Sequence, residues 1–334
     1  MAVRRDGAPV VVSLRAAGLG DLLTAVPALR AIRDRFPEHV HVLAAPQPLW
    51  PIAELTGAVD AYVPARHATC ALHQQLSAPV DVAVNLHGCG PESHRALLAC
   101  EPATLVSFRN SAVPLSSDGP RWYAQEHEVA RWCRLLRAYG ISADPRRLDL
   151  TVPDDSPTEP VQRATGATLL HPGAASPSRR WPVTRWAALA RIVRSDGLPV
   201  VVTAGPGERT LAEAVADLGG PGIDVVDCSD EVTTLVRVVA ASARVVCGDT
   251  GVAHLATALR TPSVVLCGPT SPARWGPPVE RPWHVALWAG HVGDPHGARP
   301  DPGLLELTVS DVSAALATLP AAPRARRLDY ASSR

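Results

Sequence analysis

The chain contains no lysine: all 32 of its basic side chains are arginine. Any cationic site must therefore be built from guanidinium, which is planar, forked and always charged. Together with a high Ala and Pro content, this absence suggests a coding bias of the source genome rather than a function. Net charge is also missing, at +0 for a pI near 7.2. No overall field draws the chain to nucleic acid or to an anionic membrane. The 7 cysteines include no CxxC pair and form no regular framework. They read as reduced thiols of a cytoplasmic protein. No window approaches the length of a membrane span, so membrane contact is expected to be peripheral at most, at the inner face. The apolar run at the N-terminus is too short for a signal peptide and reads as a first strand. Asp-x-Asp, HExxH and carboxylate/His clusters at ligand spacing are all absent, so no metal site and no other cofactor is expected. Without a G-x-S-x-G elbow there is no serine-nucleophile signature either.

What is present is alternation. At 334 residues the chain has room for two domains. Val10–Leu14 is a β-branched run followed by Gly18-Leu19-Gly20-Asp21. Leu22, Val26, Leu29, Ile32 and Phe36 then form one helical face, with Asp21 as its N-cap. Val40–Ala44 and Val80–Leu86 read as strands, and Glu126–Tyr139 as a helix closed by Gly140. The Pro- and Asp-rich stretch Val152–Pro160 reads as a linker, giving domains of 1–152 and 153–320 and a frayed tail of 321–334. Beyond it, strands at Thr168–His171, Pro199–Ala204, Ile223–Val226, Arg244–Cys247 and Ser263–Cys267 alternate with helix-length segments. A last helix at about 311–319 starts behind Ser310 as N-cap. Strands separated by helices predict parallel α/β sheets. The glycine-rich loops all follow strands, so they share the carboxyl edge where such sheets bind ligands.

Four loops carry the candidate chemistry. Gly18-Leu19-Gly20-Asp21 is not GxGxxG, since position 23 is Leu, and no acidic residue ends the second strand; a dinucleotide-binding dehydrogenase fits poorly. On local pattern alone, Asp21 reads first as a helix cap. His171–Pro182 combines small residues with adjacent Arg179 and Arg180, a fork pair suited to diphosphate or else simply solvated beside packed Trp181 and Trp186. Gly248–His254 opens a helix whose free amides point at the ligand edge; Asp249 could equally be only its N-cap, and His254 an ordinary half-buried histidine. Gly268–Pro277 is a stiff loop after the last of these strands. His87–His94 and Glu126-His127-Glu128 could contact polar groups of an acceptor, but read more readily as structural.

Taken together, GLGDLLTAVPALRAIRDRFP, LLHPGAASPSRRWP, VVTAGPGE and GDTGVAHLATALRTPSVVLCGPTSPARWGP resemble glycosyltransferase family 9, the ADP-heptose:lipopolysaccharide heptosyltransferase-like family. The resemblance runs from residue 18 to 278. It implies a GT-B fold: two Rossmann-like parallel-sheet domains facing a central cleft, with acceptor site in the first and donor site in the second. It implies an inverting, metal-independent transfer of a sugar, by family default heptose from an ADP-linked donor, with Asp21 of the Gly18/Gly20 loop as base. Arg179 stands where the family commonly has Lys, with Arg180 after it, and these two with Thr250 and Gly251 are expected at the donor phosphates. Asp249, His254, Glu208, Ala174 and Ala175 are expected around the donor sugar and nucleoside. Family members offer Thr where this chain has Ala174 and Ala175, which leaves backbone or Ser176. The acceptor would be a glycan, a lipid-linked sugar or a small molecule, in cell-envelope or secondary metabolism, with no nucleic-acid partner. A GT-B nucleotide-sugar epimerase and a non-catalytic nucleotide-sugar binder are the competing readings.

Overall fold

The computed structural model describes residues 8–76, 79–152 and 157–319. The basic residues at the N-terminus, the tail 321–334 and Asp154-Asp155 of the expected linker lie outside them. The chain divides into two units, Met1–Leu148 and Asp149–Arg334.

In unit 1, β1 (Val10–Leu14), β2 (Val40–Ala45), β3 (Ala61–Pro64), β4 (Val82–Asn85) and β5 (Thr104–Val106) form a parallel sheet in the order β3-β2-β1-β4-β5. Every residue of β1 and β2 is buried. Helices cover both faces of such a sheet, which is why its central strands read as unbroken apolar runs rather than alternation. Three strands progress one way from β1 and the next is β4 on its other side, so the order reverses between β1 and β4. That is the switch point of a doubly wound sheet. Helices α1 (Leu19–Arg35), α2 (Trp50–Leu55), α3 (Glu92–Leu98) and α4 (Glu128–Ala138) complete the unit, and α1 packs against α4.

Unit 2 opens with α5 (Glu159–Ala164). Its strands β6 (Thr168–His171), β7 (Val200–Ala204), β8 (Asp224–Asp227), β9 (Arg244–Gly248), β10 (Ser263–Cys267) and β11 (His284–Trp288) are parallel in the order β11-β10-β9-β6-β7-β8. Renumbered from β6, this is 6-5-4-1-2-3, the full six-stranded dinucleotide-fold order, with its switch point between β6 and β9. The helices are α6 (Val183–Ser195), α7 (Arg209–Gly219), α8 (Val232–Ala241), α9 (Gly251–Leu259), α10 (Pro272–Trp275), α11 (Pro302–Glu306) and α12 (Val309–Thr318). Trp181 and Trp186 are buried edge-to-face, ring centroids 5.3 Å apart, in a core with Leu170, Val202, Leu266 and Leu304. Among the described residues no helix is long and apolar enough to cross a membrane.

Three helix starts differ from the sequence expectation. Gly18, in extended conformation, is the N-cap of α1, and Asp21 sits at the third helical position. Thr250, not Asp249, caps α9 through its hydroxyl. Thr308, not Ser310, caps α12, in a reciprocal box with Asp311. In α1 and α12 an earlier residue of suitable conformation takes the cap and the expected one falls inside the first turn, whereas in α9 the cap is one residue later and Asp249 lies just outside the helix.

Each sheet buries a histidine bonded to a serine hydroxyl. His41 Nδ1 donates to the Ala58 carbonyl at 2.7 Å, so its Nε2 accepts from the Ser13 hydroxyl at 2.8 Å. Burial pushes its pKa down to about 4, with the Ala58 bond opposing and Arg33 assisting. On the β10/β11 pair, His284 meets the Ser263 hydroxyl at 2.8 Å and is pushed down to about 3 by burial and then by Arg281. In the unfolded chain both protonate near 6.5. Their stabilising contribution is therefore complete above about pH 6.5 and is lost as pH falls toward the folded values, because the unfolded state then binds more protons. His41 alone is expected to cost about 3 kcal/mol between pH 7.5 and pH 4. Urea midpoints measured across that range should fall steadily below pH 6.5; a flat midpoint would contradict the buried neutral assignment.

Candidate functional site

One group of candidate residues lies in unit 1, at the loop after β1. Arg15 leaves the end of β1 almost wholly buried, at 1% exposure, with its guanidinium 4.7 Å from the centre of the Trp132 ring. A buried cation needs partners, and Arg15 has them. Its Nε donates to the Asp21 carbonyl at 2.9 Å and its Nη1 to the Leu86 carbonyl at 2.7 Å. Its Nη2 reaches Asp21 Oδ1 and Glu128 Oε1, each at 3.0 Å, and Thr24 Oγ1 at 3.4 Å. Glu128, the first residue of α4, is itself buried and also accepts from Arg131. Burial lowers the Arg15 pKa to about 10 while Asp21 opposes the shift. The guanidinium remains charged at neutral pH.

Asp21 is thus gripped from below and open above. Oδ1 takes Arg15, Oδ2 accepts from the Gly18 amide at 3.2 Å, and the side chain keeps 34% exposure. A Cβ on Gly18 would stand 3.6 Å from Asp21 Oδ2, within ordinary contact. Gly20 lies in the first turn of α1. Across the switch point, His87 follows β4. Its amide is tied to Asn85 Oδ1 at 2.9 Å, and its Nδ1 is buried without a hydrogen-bond partner. Burial, then Arg15, lowers its pKa, against Asp21. His94, by contrast, is structural: its Nε2 donates to the Phe108 carbonyl at 2.6 Å and its Nδ1 meets the Asn85 amide nitrogen at 3.1 Å.

A second group lies in unit 2, at the carboxyl edge of its sheet. The loop after β6 crosses the end of β9: a Cβ on Gly248 would stand 3.0 Å from the Arg179 carbonyl. Arg179 Nη1 donates to the Asp249 carbonyl at 2.9 Å. Asp249 itself is buried, its pKa pushed up to about 6 by that burial, against the pull of Arg179, a hydrogen bond from Thr270 and the charge of Arg274. Thr250 and Gly251 begin α9, and the first amides of a helix have no partner in their own helix. Such an end receives anions. Half-buried His254 meets the Trp275 ring edge-on at 5.7 Å.

Glu208 follows β7. Its Oε2 accepts from the Gly205 amide at 3.0 Å and lies 3.6 Å from His171 Nε2. Burial lowers the His171 pKa, with Glu208 opposing, and its Nδ1 meets Thr203 Oγ1 at 3.1 Å. Gly173 leaves space for this carboxylate; a Cβ there would fall 2.0 Å from Glu208 Oε2. Ala174 is buried and Ala175 exposed. The two arginines part company. Arg180 turns back, with Nε and Nη2 donating to the Ala174 carbonyl at 2.9 and 2.7 Å, whereas Arg179 joins Asp249. Among the described residues, no group of three His, Cys, Asp or Glu side chains is placed to hold a metal ion.

Residues 111–292 match glycosyltransferase family 9 (heptosyltransferase), more than half of the chain. The chain belongs to this family. A stretch of 113 residues is 34% identical to lipopolysaccharide heptosyltransferase 1 of Salmonella typhimurium, spanning 33% of this chain and 34% of that relative. The chain thus covers about a third of that protein's length in the match. Over nearly the whole chain, the fold is similar to the glycosyl transferase family 9 protein of Veillonella parvula (TM-score 0.77, 17% identity, 96% of this chain and 99% of that one). It is also similar to the E. coli ADP-heptose lps heptosyltransferase II (TM-score 0.73, 19% identity, 93% and 98%). The fold is GT-B, and the two units are its two Rossmann-like domains.

Sequence reasoning passed over Arg15 as a site group, and reached Glu128, Thr270 and Arg274 only as members of candidate segments without a role of their own. Glu128 stands 113 positions from Arg15, so no local spacing could join them. The available signal was an arginine placed directly at the end of an apolar strand, where burial would oblige it to find acceptors.

Proposed function

We propose that the chain is an inverting glycosyltransferase. In this reading it moves a sugar of the heptose class from an ADP-linked donor to a hydroxyl of a glycan, lipid-linked or small-molecule acceptor in the cytoplasm, with membrane contact at most peripheral. The observation that carries the proposal is Asp21: a carboxylate held by a buried guanidinium, yet a third exposed at the switch point of its sheet. Held in this way, a carboxylate is oriented before the substrate arrives, and remains able to accept a proton.

In the reaction, an acceptor oxygen attacks the anomeric carbon from the face opposite the diphosphate. The bond from carbon to the acceptor oxygen forms, the bond from carbon to the leaving diphosphate oxygen breaks, and the acceptor proton passes to Asp21. Single displacement inverts the centre, through an oxocarbenium-like transition state. Negative charge grows on the leaving diphosphate. Guanidinium and the first amides of α9 are the groups that receive it, a fixed electrostatic stabilisation that needs no divalent cation.

The test is binding first and transfer second. A true donor stabilises the folded state by mass action, about 2.7 kcal/mol at 100 times its dissociation constant. ADP-sugars and ADP should raise the melting temperature more than the uridine and guanosine analogues do, and EDTA should leave transfer intact. Absence of any shift with nucleoside diphosphates would overturn the donor assignment. Strong EDTA inhibition would overturn metal independence. Rearrangement of the donor sugar without acceptor would make the protein an epimerase, and donor binding without turnover a binding protein.

A further inference from the structure

We propose that Arg274, rather than Arg180, is the second guanidinium of the donor diphosphate site, acting with Arg179. The inference rests on reading the carboxyl edge of unit 2 as the donor site, and it changes which side chains hold the anion there. Adjacent Arg179 and Arg180 suggest a pair, but Arg179 ends a short 3-10 turn while Arg180 leaves it in extended conformation, and their side chains take different partners. The Nε–Nη2 edge of Arg180 is spent on the Ala174 carbonyl, closing the loop after β6 on itself. That edge is the one that matches two oxygens of a phosphate. Arg180 therefore shapes the loop.

Arg274 arrives from a distant part of the sequence onto the same ground. It lies on α10, just beyond β10, which pairs with β9 so that Leu266 stands beside Gly248. The turn that carries it is tightly built. Ser271 caps it, accepting from the Ala273 amide at 3.2 Å, and Gly276 follows where a Cβ would fall 2.5 Å from the Pro272 carbonyl. Trp275 is set against His254 of α9. Thr270, at the entry to this turn, bonds the Asp249 side chain, and Arg274 and Arg179 both act on that carboxyl. Arg179 bonds the Asp249 carbonyl and the charge of Arg274 reaches the Asp249 side chain, so both guanidiniums lie around the start of α9. Each has an Nε that is buried with no hydrogen-bond acceptor. A buried donor left unmade is costly, so this is a site short of acceptors. A diphosphate supplies several oxygens and charge of the opposite sign, and both side-on edges can take it while the α9 amides take the rest.

The experiment compares Arg274→Gln, Arg274→Lys and Arg180→Gln with the wild type, using calorimetric titration with inorganic pyrophosphate and with ADP at fixed ionic strength. Melting temperatures first establish that each variant is folded. Arg274→Gln should weaken both ligands by about tenfold or more, the usual size for one charge-assisted bond. Arg274→Lys should recover part of the loss, because charge returns without the fork. Arg180→Gln should lower the melting temperature more than Arg274→Gln does, yet weaken the ligands less. Loss of binding in Arg180→Gln with Arg274→Gln unaffected overturns the assignment, as does a wild type that binds neither ligand. Pyrophosphate binding that depends on Arg274 without any nucleoside diphosphate binding would leave this assignment standing and remove the nucleotide donor. ADP binding that ignores Arg274 would do the reverse.

Discussion

Asp21→Asn is expected to lower transfer by about 10²- to 10⁴-fold, the range for removing a general base, while donor affinity stays near wild type. Asn has the size of Asp and keeps an oxygen that can accept from the Gly18 amide, as Asp21 Oδ2 does. What it lacks is the ability to take a proton. Arg15 loses the charge of Asp21 but retains Glu128 and the carbonyls of Leu86 and Asp21, so the loop should keep its shape. The groups proposed to bind the donor belong to unit 2 and should be untouched. Initial rates of product formation and donor-induced thermal shifts on the same variant separate the two effects. A variant with near wild-type rates would show that Asp21 is a helix-end carboxylate and that the proton leaves by another route.

Arg15→Met should unfold more readily, by roughly 3–5 kcal/mol, the cost of breaking a buried charge pair from one side. Met fills similar space beside Trp132 but leaves the Leu86 carbonyl and one Glu128 oxygen without their donor. Glu128 keeps Arg131, so the charge left behind is not wholly unpaired and the effect should fall within that range rather than beyond it. Arg15→Lys tests the geometry. It restores the charge, but an ammonium cannot serve acceptors spread around a planar fork, so most of the stability should remain lost. Urea denaturation of both variants measures this. If Arg15→Lys matched the wild type, charge alone would account for the site and the orientation of Asp21 would not depend on the fork.

Both sheets were readable in advance wherever their strands are central. β1, β6, β9 and β10 are buried on both faces, so apolar runs identify them and the loops behind them follow. β3, β5 and β11 escaped. They lie at sheet edges, carry mixed burial, and β3 ends in Pro64, so neither run nor alternation marks them. The candidate site divides in the same way. Gly18, Asp21, Asp249 and Thr250 sit in short loops whose composition is itself the signal. The partners that decide what those residues can do come from far away: Glu128 to Arg15, Glu208 over Gly173, Arg274 to Asp249. Such pairings arise from strand order, and strand order is not written in any one segment.

The buried serine–histidine pairs, one in each sheet, give the two units a common weakness without any contact having to link them. Each unit has its own core and could fail at its own temperature. Acid, however, addresses the same chemical group in both, since an imidazole with one ring nitrogen bonded to a serine hydroxyl has to take up a proton as its unit opens. Acidification below about pH 6.5 therefore weakens both units through the same chemistry, each on its own account, and proton concentration is a variable to which the two answer alike.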